Sequence, residues 1–331
     1  MNRFQTVWAR WTAAMLSVVC FLFQNPVAKR IIARSVLLSP AGGAAGSDRI
    51  HFLKTGTSDA ILLESDGRFA MVDAGEDTDN PRGFDWLNLP GYEQEVLAYL
   101  KAHAANADGK VHLDFIVGTH AHSDHLGGFD TLLLDPDVTV DRAWLKAYDS
   151  SKIKDYETGR WDNQEVYDQT VAALNARGVP ILRPDGTPFT FGSFTVTLFN
   201  TDDPETTDKV GENDNSLGVL LEKNGTRVFL AGDIDDDTGD ETRLAPAIGK
   251  VDLLKVGHHC IEGSSTEGFL QTLAPGICVI TNNKEIVNQD VLKRIVKTCR
   301  HNRIYLTGNE NGVLAVIGDG GKITCCGRIC N

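Results

Sequence analysis

The segment "GTHAHSDHLGG", residues 118–128, puts His120, His122, Asp124 and His125 within six consecutive positions, using three of the chain's nine histidines. Imidazole and carboxylate are both ligands of first-row metals, and isolated core or surface histidines do not crowd in this way. The preceding run "VHLDFIV" is mostly apolar and reads as a buried strand. The cluster therefore occupies the loop that leaves a strand, where α/β proteins place their chemistry. On extended backbone, positions two apart face one side, so His120, His122 and Asp124 converge. A helical turn beginning near Asp124 swings His125 onto the same centre. The segment therefore reads as part of a metal site.

Further ligand types stand at other strand ends. Asp73 ends "FAMVDAG", Asp233 ends "TRVFLAGDI", and His258 and His259 end "DLLKVGHH". A buried, unpaired carboxylate is costly, so each aspartate needs a partner. The alternative for each is to cap the next turn. Three strand ends that carry Asp or His at one edge of a sheet can share one cleft.

Strands and helices alternate around these ends. "IHFLKT", "AILLES" and "FAMVDAG" read as three strands joined by tight turns. "GYEQEVLAYLKAHA" and "NQEVYDQTVAALNARG" have helical spacing, the second ending at Gly178. Residues 141–189 are otherwise irregular, with Trp144, Tyr148, Tyr156 and Trp161 ahead of that helix. "FTFGSFTVTLFN", "NSLGVLLEKNG", "TRVFLAGDI" and "DLLKV" form a second strand series; "EGFLQTLAP" and "NQDVLKRIVKTCRHN" look helical, and "RIYLTG" and "GVLAVIGDGGKITC" close the chain as strands. The expected class is α/β: two mixed sheets packed face to face with helices outside.

Residues 1–48 read as a leader: a short basic start, the apolar run "TAAMLSVVCFLF" and the small-residue stretch "SPAGGAAGS". That order suggests a secretory signal peptide and an exported or cell-surface protein. The apolar run is about half of the roughly 20 residues that a membrane-spanning helix needs. A membrane-associated segment, or a cytoplasmic protein, is the alternative. Six cysteines follow the leader: Cys260, Cys278, Cys299, Cys325, Cys326 and Cys330. Their spacing suits disulfides or free thiols rather than a second metal site. Asp and Glu outnumber Lys and Arg, 45 to 32, giving a net charge of −13. No basic track is present, and no stable nucleic-acid complex is expected. "DIDDDTGDE" alternates aspartates as a calcium loop does, yet has Thr238 and Leu244 where such a loop requires Gly and Glu. It reads as a solvated turn. No P-loop and no G-x-S-x-G segment occurs.

"HAHSDH" together with "MVDAG", "LAGD" and "LKVGHH" resembles the metallo-β-lactamase fold of metal-dependent hydrolases. "IHFLKTGTSDAILLES" and "ENDNSLGVLLE" are similar to the hydrolase domain attached to bacterial competence channel proteins and its free-standing relatives. The resemblance implies an αββα sandwich over residues 49–331 and two divalent ions, Zn or Mn. It implies that His120 and His122 hold the first ion and that Asp124, His125 and His258 hold the second. Asp233 would bridge them, and Asp73 would brace the cluster. His259 either contacts substrate or replaces His258 as a ligand.

The sequence departs from this family in two places. No histidine stands between His125 and His258 to complete the first site; Asn213, Asp214 and Asn215 in "ENDNS" are the oxygen-bearing candidates. "HHCIEGSS" replaces the usual "HHGS", which puts Cys260, read as a packed residue, beside the ligands. Lys255, Asn215, Ser264 and Ser265 are candidate substrate contacts. The implied reaction is hydrolysis by a metal-activated hydroxide, with Asp124, Asp73 and His259 as catalytic-site residues. The expected substrate is a phosphodiester or related phosphoester, small or polymeric. A lactamase- or lactonase-type hydrolase, or a weakened metal-binding module, is the alternative.

Overall fold

The computed structural model of the chain describes residues 48–78, 90–203, 207–301 and 303–326. The leader lies outside these residues except for Asp48, which begins the first strand. The sheet thus starts one residue before the expected boundary.

β1 (Asp48–Phe52), β2 (Ala60–Ser65) and β3 (Arg68–Ala74) form an antiparallel meander. After the helix Glu93–His103 come β4 (Val111–Leu113) and β5 (Ile116–Val117), then β6 (Val138–Val140) and β7 (Ala143–Trp144). β8 (Ile181–Leu182) follows the helix Asn163–Ala176. A second series comprises β9 (Phe189–Phe191), β10 (Phe194–Phe199), β11 (Gly218–Lys223), β12 (Thr226–Leu230), β13 (Leu253–Lys255), β14 (Ile277–Ile280) and β15 (Arg303–Leu306). β16 (Val313–Ile317) and β17 (Ile323–Cys326) close the chain.

One sheet runs β17-β16-β1-β2-β3-β5-β7-β8 and the other β15-β14-β13-β12-β11-β10-β9, while β4 and β6 pair separately. The return of the β16–β17 hairpin to the first sheet, against β1, is not legible in strand order. It occupies the edge of β1 that would otherwise present unpaired backbone.

Alternation along the strands sorts side chains into three cores. Ile61, Leu63 and Val72 join Val228, Leu230 and Leu253 between the sheets. Their neighbours Leu62 and Met71 face Val96, Leu100, Leu132 and Leu174 on the outer helices of the first sheet. Phe229 and Leu254 face Leu244, Leu270, Val291 and Ile295 on the helices of the second. These clusters make the αββα layering. The helix Asp240–Ile248 begins within the acidic segment and buries Asp240, Glu241 and Leu244; with Asp235 also buried, that segment is not the solvated turn expected of it.

Cys260, Cys278 and Cys325 are buried free thiols, and Cys299 is buried as well. Cys260 packs in the core of the second sheet, and burial pushes its thiol up to about 12. No helix among the described residues is long and apolar enough to cross a membrane.

Candidate metal centre

Both sheets contribute neighbouring parallel strands whose C-terminal ends meet. β3 and β5 pair in one sheet, β12 and β13 in the other. Asp73 ends β3, and Thr119 and His120 follow β5; Asp233 follows β12, and His258 and His259 follow β13. Ligands in open α/β sheets collect at such carboxyl ends. The sheets are tied there by Leu217 N donating to Thr119 O (3.0 Å), and within the second sheet Asp233 N donates to Ser216 Oγ (2.8 Å). Gly232 has φ +53, and a Cβ there would stand 2.4 Å from Ser216 Oγ and 2.9 Å from Leu217 O. Only glycine permits that approach.

Asp124, His125, Asp233 and His259 present one ligand atom each, all within 4.8 Å of one another. His125 Nε2 lies 3.1 Å from His259 Nε2 and 3.2 Å from Asp233 Oδ2. His259 Nε2 lies 3.2 Å from Asp233 Oδ2 and 3.3 Å from Asp124 Oδ2, and His125 Nε2 stands 3.9 Å from Asp124 Oδ2. Ligands about 2.0–2.2 Å from one tetrahedral ion stand roughly 3.3–3.6 Å apart, so this set fits a divalent cation. Asp233 Oδ1 is buried without a hydrogen-bond partner, as is Asp59 Oδ1 nearby.

The residue that joins this cluster is His259, where the ligand set carried over from the resemblance had His258. His258, His259 and Cys260 have φ of +46, +47 and +64, three successive non-glycine residues in the left-handed region. Such backbone is uncommon and strained. Here it turns His259 inward, with its Nδ1 3.1 Å from Thr281 Oγ1. His258 is left half-buried, 3.1 Å from Asn213 Nδ2 and 3.8 Å from Asp235 Oδ2.

His120 and His122 form an adjacent pair, with His120 Nε2 2.9 Å from His122 Nδ1 and the His120 and His125 rings 4.2 Å apart. Ser123–Leu126 is the helical turn that brings His125 to Asp124. Glu157, buried on the short helix Asp155–Thr158, faces His122 Nε2 at 3.3 Å and accepts the Glu212 N–H at 3.1 Å. The Trp161 ring stands edge-on to His122 at 4.8 Å. Of the "ENDNS" candidates, Asn213 reaches His258. Asp214 accepts from Gly211 N (2.9 Å) and Thr238 Oγ1. Asn215 Nδ2 donates to Glu212 Oε2 (3.0 Å). Glu212 Oε1 in turn accepts the Ala121 N–H (2.9 Å) between the two histidines. The sequence reading missed both glutamates. Glu157 lies in the irregular insertion and carries no local signal.

Beneath the ligands, Asp73 Oδ1 and Oδ2 accept from Thr119 N and Oγ1, each at 2.8 Å, and Asp73 Oδ2 meets His125 Nδ1 at 2.8 Å. Asp59, also missed, pairs with Lys255 and stands 3.5 Å from His259 Nδ1. Lys255 is fully buried, donates to Gly232 O (2.8 Å) and lies 3.6 Å from Asp233 Oδ1. It is therefore a buried counter-charge and not a substrate contact. A lysine inside an apolar strand needs a carboxylate, and that rule would have predicted its partner. Ser264 and Ser265 are fully buried, Ser264 Oγ donating to Gly257 O at 2.9 Å, so neither meets substrate.

The charges are strongly coupled. Burial works against a proton on His125 and His259, but Asp233 leads a set of carboxylates that outweighs it, holding His125 well above its ordinary range and His259 at about 9. Burial likewise works against charge on Asp124 and Asp233, yet the two imidazoles keep both carboxyls far below the usual range. A field that holds protons on buried imidazoles is one that a divalent cation would occupy by displacing them.

The chain is similar to several known proteins. ComE operon protein 3 of Bacillus subtilis (strain 168) is 26% identical over 213 residues, covering 63% of this chain and 25% of that protein. Ribonuclease J 1 of Streptococcus pyogenes serotype M3 is 24% identical over 282 residues, covering 80% of this chain and 41% of its own length. The chain thus spans a quarter to two fifths of these relatives. Among solved structures, the metallo-beta-lactamase fold protein YhfI from Bacillus subtilis aligns with 85% of this chain and all of its own, at 13% identity and a TM-score of 0.48. The beta-lactamase superfamily domain matches residues 71–262, a span that runs from the strand bearing Asp73 past His259 and covers more than half of the sequence, so the chain belongs to the beta-lactamase superfamily of metal-dependent hydrolases.

Proposed function

We propose that this hydrolase cleaves phosphodiesters and that its centre takes two divalent ions, Zn or Mn. The observation that carries the reading is the juxtaposition of two donor sets, His120 with His122 and Asp124, His125, Asp233 with His259, whose His120 and His125 rings are 4.2 Å apart. Paired ions suit in-line displacement at phosphorus, where attacking and leaving oxygens both need charge neutralised. A relative named as a ribonuclease supports the same bond type, since RNA is joined by phosphodiesters.

Ions held there would lower the pKa of water from about 15.7 to about 7 and draw charge from the phosphoryl oxygens. The chain's own residues orient the ligands. Asp73 accepts the Nδ1–H of His125 and so presents Nε2 to the centre; Glu157 does the same for His122 from its Nε2 side. Lys255 balances the surplus of carboxylates without entering the cleft. Trp161 covers one edge of His122 and limits water there. His258, turned away from the cluster, is left to face substrate.

The test strips the full chain with a chelator, restores Mn or Zn, and follows release of p-nitrophenol from bis(p-nitrophenyl) phosphate. Metal content is counted alongside, and Asp124→Ala serves as the inactive control. Metal-dependent turnover that the variant loses is the expected result. Bound metal with no turnover would move the substrate to a cyclic amide or ester. A chain that binds no metal would overturn the proposal.

A further inference from the structure

A cavity of about 610 Å³, within the usual range for small-molecule sites of roughly 300–1,000 Å³, is connected to the centre by hydrogen bonds. Asn215 forms part of its wall. Through Glu212 that asparagine is linked to the backbone between His120 and His122, so cavity and histidine pair share one carboxylate. Another part of the wall is tied by Lys154 N donating to Val210 O (2.9 Å) and Val210 N donating to Lys152 O (3.0 Å).

Lys146, Lys152, Arg183 and Lys209 line the cavity, against Asp149, Asp203 and Asp208. Four cations to three anions leave one net positive charge in a chain of net charge −13. Lys146 separates this cavity from an ordinary surface hollow. It is only 8% exposed, and its ammonium donates to the carbonyls of Asn200 (3.2 Å) and Asp202 (2.8 Å). Among the described residues it has no ion-pair partner. By contrast, Lys152 and Arg183 face Asp203 at 3.9 and 3.5 Å, and Lys209 pairs with Asp155 at 2.5 Å. A buried cation without a counter-ion is costly. Burial accordingly draws Lys146 below the ordinary lysine range, although Asp203, Glu212 and Asp240 act against it. The exposed rim pairs are weak, so an incoming anion can replace them at little cost.

We infer that this cavity binds a second phosphoryl group of the substrate, carried beyond the scissile diester, with Lys146 as its buried counter-charge and Lys152, Arg183 and Lys209 at the rim. The inference rests on the phosphodiesterase reading for what occupies the centre; the cavity's preference for an anion stands apart from it. The substrate class is then a small diester that bears a further phosphate, rather than a neutral aryl or alkyl diester.

Binding of adenosine 3′,5′-bisphosphate and of adenosine 5′-monophosphate to the full chain, measured by calorimetry, tests this without requiring turnover. Neither probe contains a diester. The bisphosphate should bind at least tenfold more tightly, and Lys146→Met should reduce that advantage to threefold or less. Arg183→Glu, at an exposed position that does not endanger folding, should reduce it at least threefold. Equal affinity for the two probes in the unmodified protein would overturn the inference. So would an advantage that survives in Arg183→Glu and in a folded Lys146→Met. A bisphosphate advantage in a chain that fails to cleave bis(p-nitrophenyl) phosphate would sink the diester reading and leave the anion cavity standing.

Discussion

Replacing Lys255 by Met keeps the length of the side chain and removes a charge that the cluster depends on. In the folded protein its ammonium pairs with Asp59, donates to Gly232 O at 2.8 Å and lies 3.6 Å from Asp233 Oδ1, all fully buried. Removing one member of a buried pair costs about 3–5 kcal/mol, because the other is left as an uncompensated charge. His259 Nδ1 at 3.5 Å and His125 Nδ1 at 4.0 Å still face Asp59 and retain part of the compensation. The loss should therefore fall in the lower half of that range, about 3–4 kcal/mol, against a typical total stability of about 5–15 kcal/mol. Urea unfolding of the chelated protein, followed by tryptophan fluorescence, would measure it. The double variant Lys255→Met/Asp59→Asn leaves neither charge and should recover at least half of the loss. A single-variant cost below about 1 kcal/mol, or a double variant whose cost is the sum of the two singles, would refute the account of a buried counter-charge.

His259→Asn should weaken divalent-metal binding at least tenfold in a metal titration while His258→Asn changes it less than threefold; the reverse ranking would mean that His258 is the ligand. Glu157→Gln keeps the shape but weakens the acceptor that orients His122, so metal affinity or turnover should fall about 10–100-fold, the usual cost of losing such a partner. Unchanged affinity and rate would make Glu157 a packing residue only. Burial raises Glu241 from 4.5 to about 7 in the folded chain, with the N–H groups of Ser265 and Thr266 acting against the rise. The folded state then binds more protons than the unfolded one across that window, and stability should decline as pH rises from about 4.5 to about 7. At ~1.4 kcal/mol per pH unit the decline is up to about 3 kcal/mol. Glu241→Gln should flatten that part of a stability-against-pH curve, and an unaltered slope would exclude Glu241 as its source.

Much of the fold was legible because its elements announce themselves locally. The strand "FAMVDAG" alternates Met71 and Val72 between two cores, and the helix Gln289–Thr298 buries Val291 and Ile295 four residues apart. The hairpin β16–β17 was legible as strands but not as a partner of β1. That pairing spans more than 250 residues and leaves no trace in either segment alone. The helix Asp240–Ile248 was hidden by its acidic start, where the buried Glu241 accepts from the N–H groups of Ser265 and Thr266, 24 and 25 residues further on.

For the centre, the chain by itself determined which chemistry was in play. Four ligands within residues 120–125, three histidines and one aspartate, are held close together by local backbone alone, on extended chain that passes into the helical turn Ser123–Leu126. Tertiary structure alone decided the remainder. Which of two adjacent histidines turns inward depends on three successive left-handed residues that packing enforces and no local pattern predicts. Glu157, Asp59 and Lys255 act only through partners far along the chain, 35 residues away for His122 and 196 for the Asp59–Lys255 pair. Charge pairing depends on distance in space, and for these residues the folded sheets set that distance.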